Sequence, residues 1–264
     1  MEAQLRSSNV LLSRLPEREY ERLAPMLEPV SARRGDAIYQ PGGPIDFVEF
    51  PLTAVALIAV PMADGAVPTV AIVGHEGLVG LPALLGERRS LHGLSWCVSG
   101  SVVRIRSEDL LAAAVPFSQL VRVLGVYAEI RLGIVEQNAA CSGLHDVRAR
   151  CSRTLLTLSD AADTDRLDFS HKSLALMLGV TRQSASLALE SLRIDRKISY
   201  AAGHILILDR DGLEGTSCEC YAILRSESER FFGPWRRSPS DCAARAGVAA
   251  PDQMALLPDG EDRG

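Results

Sequence analysis

The run HKSLALMLGVTRQSASLALESLR, residues 171 to 193, restricts the fold more than any other stretch, because it reads as two helices joined by a tight turn. Leu174, Leu176 or Met177, and Leu178 give the first helix an apolar face. Gly179 stands where such a turn needs a residue tolerant of positive φ. Thr181 then offers a hydroxyl to cap the second helix. Ala185, Ala188 or Leu189, and Leu192 recur at helical spacing, and the small Ala175 and Ala185 let the two helices cross closely. Arg182, Gln183 and Ser186 are left facing outward, with Ser184 beside them, and such side chains hydrogen-bond base edges and phosphates. An ordinary helical hairpin is the plainer alternative.

The residues that follow favour DNA. Lys197 to Tyr200 and Ile205 to Leu208 are short β-prone runs around the turn Ala201 to His204, and a hairpin in that place is a wing. Arg196, Lys197 and His204 are its candidate phosphate contacts. Leu167 to Phe169 reads as a short strand leading into Ser170, the cap of the first helix. The whole chain has a formal charge of −5, yet residues 144–200 carry nine Lys and Arg against seven Asp and Glu. Basic character is thus local, as a discrete DNA-binding module requires.

At 264 residues, two modules are expected. Charged residues near the N-terminus argue against a signal peptide, and the longest apolar run, Ala54 to Pro61, is too short for a bilayer span. A cytoplasmic protein with no membrane partner is expected. Residues 9–28 form an amphipathic helical segment. From Val30 to about Ser107, short β-prone runs alternate with turns such as Arg34-Gly35-Asp36, Pro41 to Pro44 and Ala63-Asp64-Gly65, the pattern of a β-barrel or jelly roll.

A long helix is expected from about Phe117 to Ser142. Leu120, Val123, Tyr127, Ile130, Ile134, Gln137 and Cys141 recur at steps of three and four, a coiled-coil-like seam suited to a second copy of the chain. Part of that stripe must also pack on the chain's own β-domain. One further helix spans about His145 to Ala161, and another runs from Asp209 to Phe232. The tail, Gly233 to Gly264, shows little periodicity and reads as disordered.

Six cysteines, Cys97, Cys141, Cys151, Cys218, Cys220 and Cys242, are scattered, and only Cys218-Glu219-Cys220 is closely spaced. One C-x-C lacks the second pair or the histidines of a zinc site, and no N-terminal cluster suggests an iron–sulfur centre. Reduced cysteines and no metal are the expectation. His75 and His92 lack an H-x-H partner, which sets aside a cupin-like metalloenzyme.

Together these features resemble the Crp/Fnr family of bacterial transcription regulators over roughly residues 10–232. The run RRGDAIYQPGGPIDFVEF, with Gly35 and Pro41-Gly42, and Leu178-Gly179-Val180-Thr181-Arg182 carry the resemblance. It implies an α+β chain with an N-terminal double-stranded β-helix (jelly-roll) over 10–116, a dimerisation helix over 117–143 and a C-terminal winged helix–turn–helix over 144–232. It also implies a sensing roll, a parallel homodimer on a palindromic operator, RNA polymerase as a further partner and no catalytic activity. Arg182 would read bases or phosphates with Gln183 and Ser186 beside it, and Thr181 and Lys172 would hold the backbone. Leu187 departs from the family, standing where cyclic-AMP-type members place an arginine.

The segment from Gly74 to Pro82 resembles the roll's phosphate cassette. Leu81, after Gly80, replaces the glutamate that holds a ribose hydroxyl, and Arg89-Ser90 is displaced from the phosphate-binding pair by about two residues. Gly80, Leu81, Arg89, Ser90 and Tyr127 are the candidate effector residues, for an effector that is not cyclic AMP. A constitutive DNA-binding protein with a ligand-free roll is the alternative.

Overall fold

The computed structural model describes residues 2–63, 67–114, 118–201 and 203–233. The expected tail from 234 on, Cys242, Phe117, Ala202 and the tip of the turn at Asp64-Gly65 lie outside the described residues.

Three short helices come first, α1 (Glu2–Ser7), α2 (Val10–Ser13) and α3 (Glu17–Leu23), followed by a single turn at Ala24–Met26. Pro16, which cannot donate a helical hydrogen bond, divides what the sequence reads as one segment. The roll follows: β1 (Glu28–Ala32), β2 (Ala37–Tyr39), β3 (Phe47–Pro51), β4 (Val55–Ala59), β5 (Thr69–Val73), the short α4 (Leu81–Leu84), β6 (Gly93–Val98) and β7 (Gly100–Arg106). Two antiparallel sheets form, in the orders β1-β7-β3 and β2-β6-β4-β5. Strand alternation serves both faces of the first sheet. Val102 joins Ala54, Ala56, Val73, Leu94 and Trp96 between the sheets, while Val48, Phe50, Val103 and Ile105 face the helices.

Beyond the roll lie α5 (Ser107–Ala113), α6 (Gln119–Leu144), α7 (Val147–Ala162), β8 (Arg166–Leu167), α8 (His171–Leu178), α9 (Arg182–Ile194), β9 (Ile198–Ala201), β10 (His204–Ile207), α10 (Arg210–Glu214) and α11 (Cys220–Phe232). The expected helix from 209 to 232 is therefore two, broken after Glu214.

The α6 helix starts on two caps. Ser118 accepts from the Val121 N–H, and the Glu19 carboxylate of α3 accepts from the Gln119 and Leu120 N–H groups at 3.0 and 2.8 Å. Most of the expected seam packs within the chain itself. Leu120 and Tyr127 are buried in the chain's own core, with Val123 and Ile130 packed against it, and the Tyr127 hydroxyl donates to the Leu78 carbonyl at 3.0 Å. Cys141 is fully buried beside Cys218 and Cys220, and Gln137 donates to the Cys220 sulfur. Ile134 lines a cavity of about 140 Å³ shared with Asn138 and Arg153. The exposed stripe is a different one: Val121, Gly125, Leu132, Val135 and Ala139 face solvent.

The helix–turn–helix module rests on the outer face of the four-stranded sheet. Val55 and Cys97 share one core with Leu155, Leu156 and Leu158 of α7, Leu174 and Leu178 of α8, and Leu189 and Leu192 of α9. The approach is close enough to demand glycine at one point. A Cβ on Gly74, just after β5, would lie 2.3 Å from the Ala161 carbonyl oxygen. No described helix is long and apolar enough to cross a membrane.

Candidate nucleic-acid interface

Local capping builds the two-helix unit. The Ser170 hydroxyl accepts from the Ser173 N–H to start α8, and Gly179 ends it in the left-handed region, at φ 63°. Thr181 then accepts from the Ser184 N–H at 3.1 Å to start α9. Ala185, Ala188, Leu189 and Leu192 are buried against Leu174, Met177 and Leu178. That burial fixes what α9 presents outward. Lys172, Thr181, Arg182, Gln183 and Leu187 are exposed, with Ser184 and Ser186 half-buried among them.

Hydrogen bonds on the same surface set which groups are free. His171 Nδ1 lies 3.1 Å from the Ser186 hydroxyl, and the Thr181 and Ser184 hydroxyls are 2.9 Å apart. Glu190 accepts from Arg193 Nε at 2.9 Å, from Arg193 Nη2 at 2.6 Å and from the Tyr200 hydroxyl at 2.8 Å. The Arg193 bonds, then that of Tyr200, hold the Glu190 carboxyl down at about 2. Arg193 is thus neutralised locally, whereas Arg182 carries no such carboxylate partner among the described bonds and ion pairs.

The wing is a three-stranded sheet in the order β8-β10-β9, with Ile205 opposite both Leu167 and Tyr200. Of its expected phosphate contacts, Arg196 is exposed, at φ 56°. Lys197 is turned inward. Its ammonium meets the Thr216 hydroxyl and lies 3.8 Å from Asp195, leaving the side chain 19% exposed. His204 contacts Asp168 through Nδ1, with Arg166 3.4 Å from its other nitrogen.

A buried polar bolt holds the module together. Asp160 on α7 meets Arg210 of α10 and accepts from the Tyr221 hydroxyl of α11 at 2.7 Å. Burial first, and the Asp160 charge second, push the Tyr221 hydroxyl well above its ordinary value.

The effector candidates have the following surroundings. Gly80 sits at φ 106° and Leu81 packs half-buried against the helix-facing core. Arg89 is exposed and donates to the Gly42 carbonyl at 2.9 Å, and Ser90 donates to the His92 carbonyl at 2.7 Å. A cavity of about 320 Å³ in the roll is lined by Tyr39, Asp46, Phe47, Glu49, Trp96 and Arg104 among others, but by none of the five candidates. The described cysteines are free, and the fold supplies the partners that C-x-C lacks in sequence. Cys218 and Cys220 meet Cys141 and His145 from the far end of α6.

The Crp-like helix-turn-helix domain profile matches residues 149–216. A search of curated proteins finds no match. Among solved structures, FixK2 from Bradyrhizobium japonicum is similar at TM-score 0.63 and 20% identity, over 73% of this chain and 98% of that one. The c-di-GMP responsive global regulator CLP of Xanthomonas campestris matches at TM-score 0.60 and 19% identity, over 73% and 99%. A CRP-family transcriptional regulator from Thermus thermophilus matches at 0.61 and 20%, over 71% and 96%. Residues 149–216 are thus a Crp-like helix–turn–helix domain, and the chain carries it in the fold of the Crp/Fnr regulators.

Proposed function

We propose that the chain is a sequence-specific transcription regulator that binds a two-half-site operator as a homodimer. The observation that carries this reading is the first turn of α9. Arg182 and Gln183 stand exposed there on a helix whose opposite face is buried, the arrangement by which a recognition helix enters the major groove. Arg182 and Gln183 read base edges. Lys172 and Arg196 hold phosphates, with Thr181, Ser184, Ser186 and His204 at the margin because each already has a partner. The homodimer forms across the outer stripe of α6, Val121, Gly125, Leu132, Val135 and Ala139, where small residues let two helices approach closely. RNA polymerase is the further partner in this reading.

A second reading concerns the roll alone. The Arg89 guanidinium already donates to the Gly42 carbonyl, which favours a roll that supports the dimer and takes no cyclic nucleotide. Selection of bound DNA from a random pool by the purified protein tests the main reading. Recovery of a two-fold symmetric sequence is expected. Against it, Arg182→Ala costs about 1–3 kcal/mol and relaxes one position, while Arg196→Ala weakens all sequences alike and lowers the salt slope by about one. Unchanged operator affinity in Arg182→Ala overturns the assignment of α9.

A further inference from the structure

We propose that Cys141, His145, Cys218 and Cys220 form a tetrahedral site for one thiophilic divalent cation, zinc being the ion that suits three thiolates and an imidazole. Each of the four donor atoms lies within 4.8 Å of the other three. Donors about 2.3 Å (sulfur) and 2.05 Å (nitrogen) from one tetrahedral centre stand about 3.8 Å apart for two sulfurs and about 3.6 Å apart for sulfur and nitrogen. The Cys141 and Cys218 sulfurs are 3.6 Å apart, and Cys220 Sγ is 3.6 Å from His145 Nδ1. The spacing is that of ligands around a common ion, and the three cysteines are buried while His145 keeps a way in from solvent.

The surrounding groups match what metal ligands need. A ligating histidine is oriented by a partner on its other ring nitrogen, and His145 Nε2 lies 3.1 Å from the Glu219 carboxylate. Gln137 Nε2 donates to Cys220 Sγ at 3.0 Å, a bond that a thiolate accepts better than a thiol. Cys220 opens α11, where the free N–H groups and the helix dipole favour negative charge. Backbone placement is equally purposeful. Cys141 and His145 straddle the end of α6, with His145 its cap residue, and α7 begins two residues later. Cys218 and Cys220 come from beyond the winged module. One ion therefore ties the far end of the chain's described fold to the junction between α6 and α7, and holds the angle between them.

Metal analysis of protein purified under reducing conditions, without chelator, is the direct test. One zinc per chain is expected, retained in Cys97→Ala and lost in Cys218→Ser and Cys220→Ser. Cobalt added to the stripped wild-type chain should give the visible bands of tetrahedral coordination and a sulfur-to-metal charge-transfer band. Glu219→Gln, which keeps all four donors, should weaken zinc affinity by about tenfold. Amide exchange at residues 141–147 and 218–222 should slow when zinc is restored. These readouts use no DNA, so their failure is distinct from failure of the proposed function. A metal-free chain that takes up neither zinc nor cobalt overturns the site. So does an octahedral cobalt spectrum, an iron–sulfur chromophore, or a Cys141–Cys218 disulfide in anaerobically purified, metal-free protein.

Discussion

Arg196 and Lys197 are neighbours in sequence and differ in what their charges meet. Arg196 projects from a left-handed backbone position at the root of the wing, while Lys197 is drawn to Thr216 and Asp195. Sequence alone separates them poorly, because the groups that claim Lys197 lie two residues before it and 19 after. The caps of the recognition unit were legible for the opposite reason. Ser170, Gly179 and Thr181 act on backbone within a few residues of themselves, so their chemistry shows in the local string. Asp160 is a residue whose loss should be costly, even though Arg210 keeps Glu214 at 3.1 Å and Asp165 at 3.7 Å. Asp160→Ala leaves the Arg210 guanidinium and the Tyr221 hydroxyl without their buried acceptor, and about 3 kcal/mol of stability should go with it. Tyr221→Phe removes one hydrogen bond to the same carboxylate and should cost about 1 kcal/mol. Denaturant midpoints of the two variants check the order, and equal midpoints would contradict the bolt.

At the scale of elements, α6 is where sequence and structure diverge. Its seam was readable as a period but not as a face, because apolar residues surround the helix. Leu120, Leu124 and Tyr127 satisfy one stripe, and Val121, Leu132 and Val135 satisfy another. The choice between them is made by Glu19, Leu78 and the core of the roll, all remote in sequence. Leu132 is 54% exposed and Ile130 packs on the chain's own core, so the two positions should respond differently to charge. Leu132→Asp should leave the fold intact and convert a dimer to monomers in sedimentation, since symmetry places the unpaired carboxylates at two related points of one interface. Ile130→Asp should lower stability instead. A Leu132→Asp chain that remains dimeric at micromolar concentration removes the outer stripe from the interface. The cysteine cluster escaped the sequence for a similar reason, as 77 residues separate Cys141 from Cys218.

At the scale of the molecule, the roll and the DNA-binding module are joined by packing as well as by α6. The roll's expected ligand chemistry was legible only in the negative. Leu81 offers no acceptor to a ribose hydroxyl, a deficit of about 1–3 kcal/mol, and Arg89 is already bonded to Gly42. Calorimetric titration with cyclic AMP and cyclic GMP should show no micromolar binding, and a clear isotherm for either would restore Arg89 as a phosphate ligand. What a signal in this roll can do is set by the surface beneath the module. Lifting α7 away from the sheet uncovers Val55, Leu57, Ile72 and Cys97 at about 25 cal/mol for each Å² wetted. Sliding α7 across the same strands keeps that surface dry, with the side-chain-free Gly74 passing under Ala161. Shear costs less apolar wetting than lifting, so in the proposed dimer a signal in the roll would displace the two recognition helices laterally, breaking the 3.2 Å contact of His75 Nδ1 with the Ala161 carbonyl as it did so.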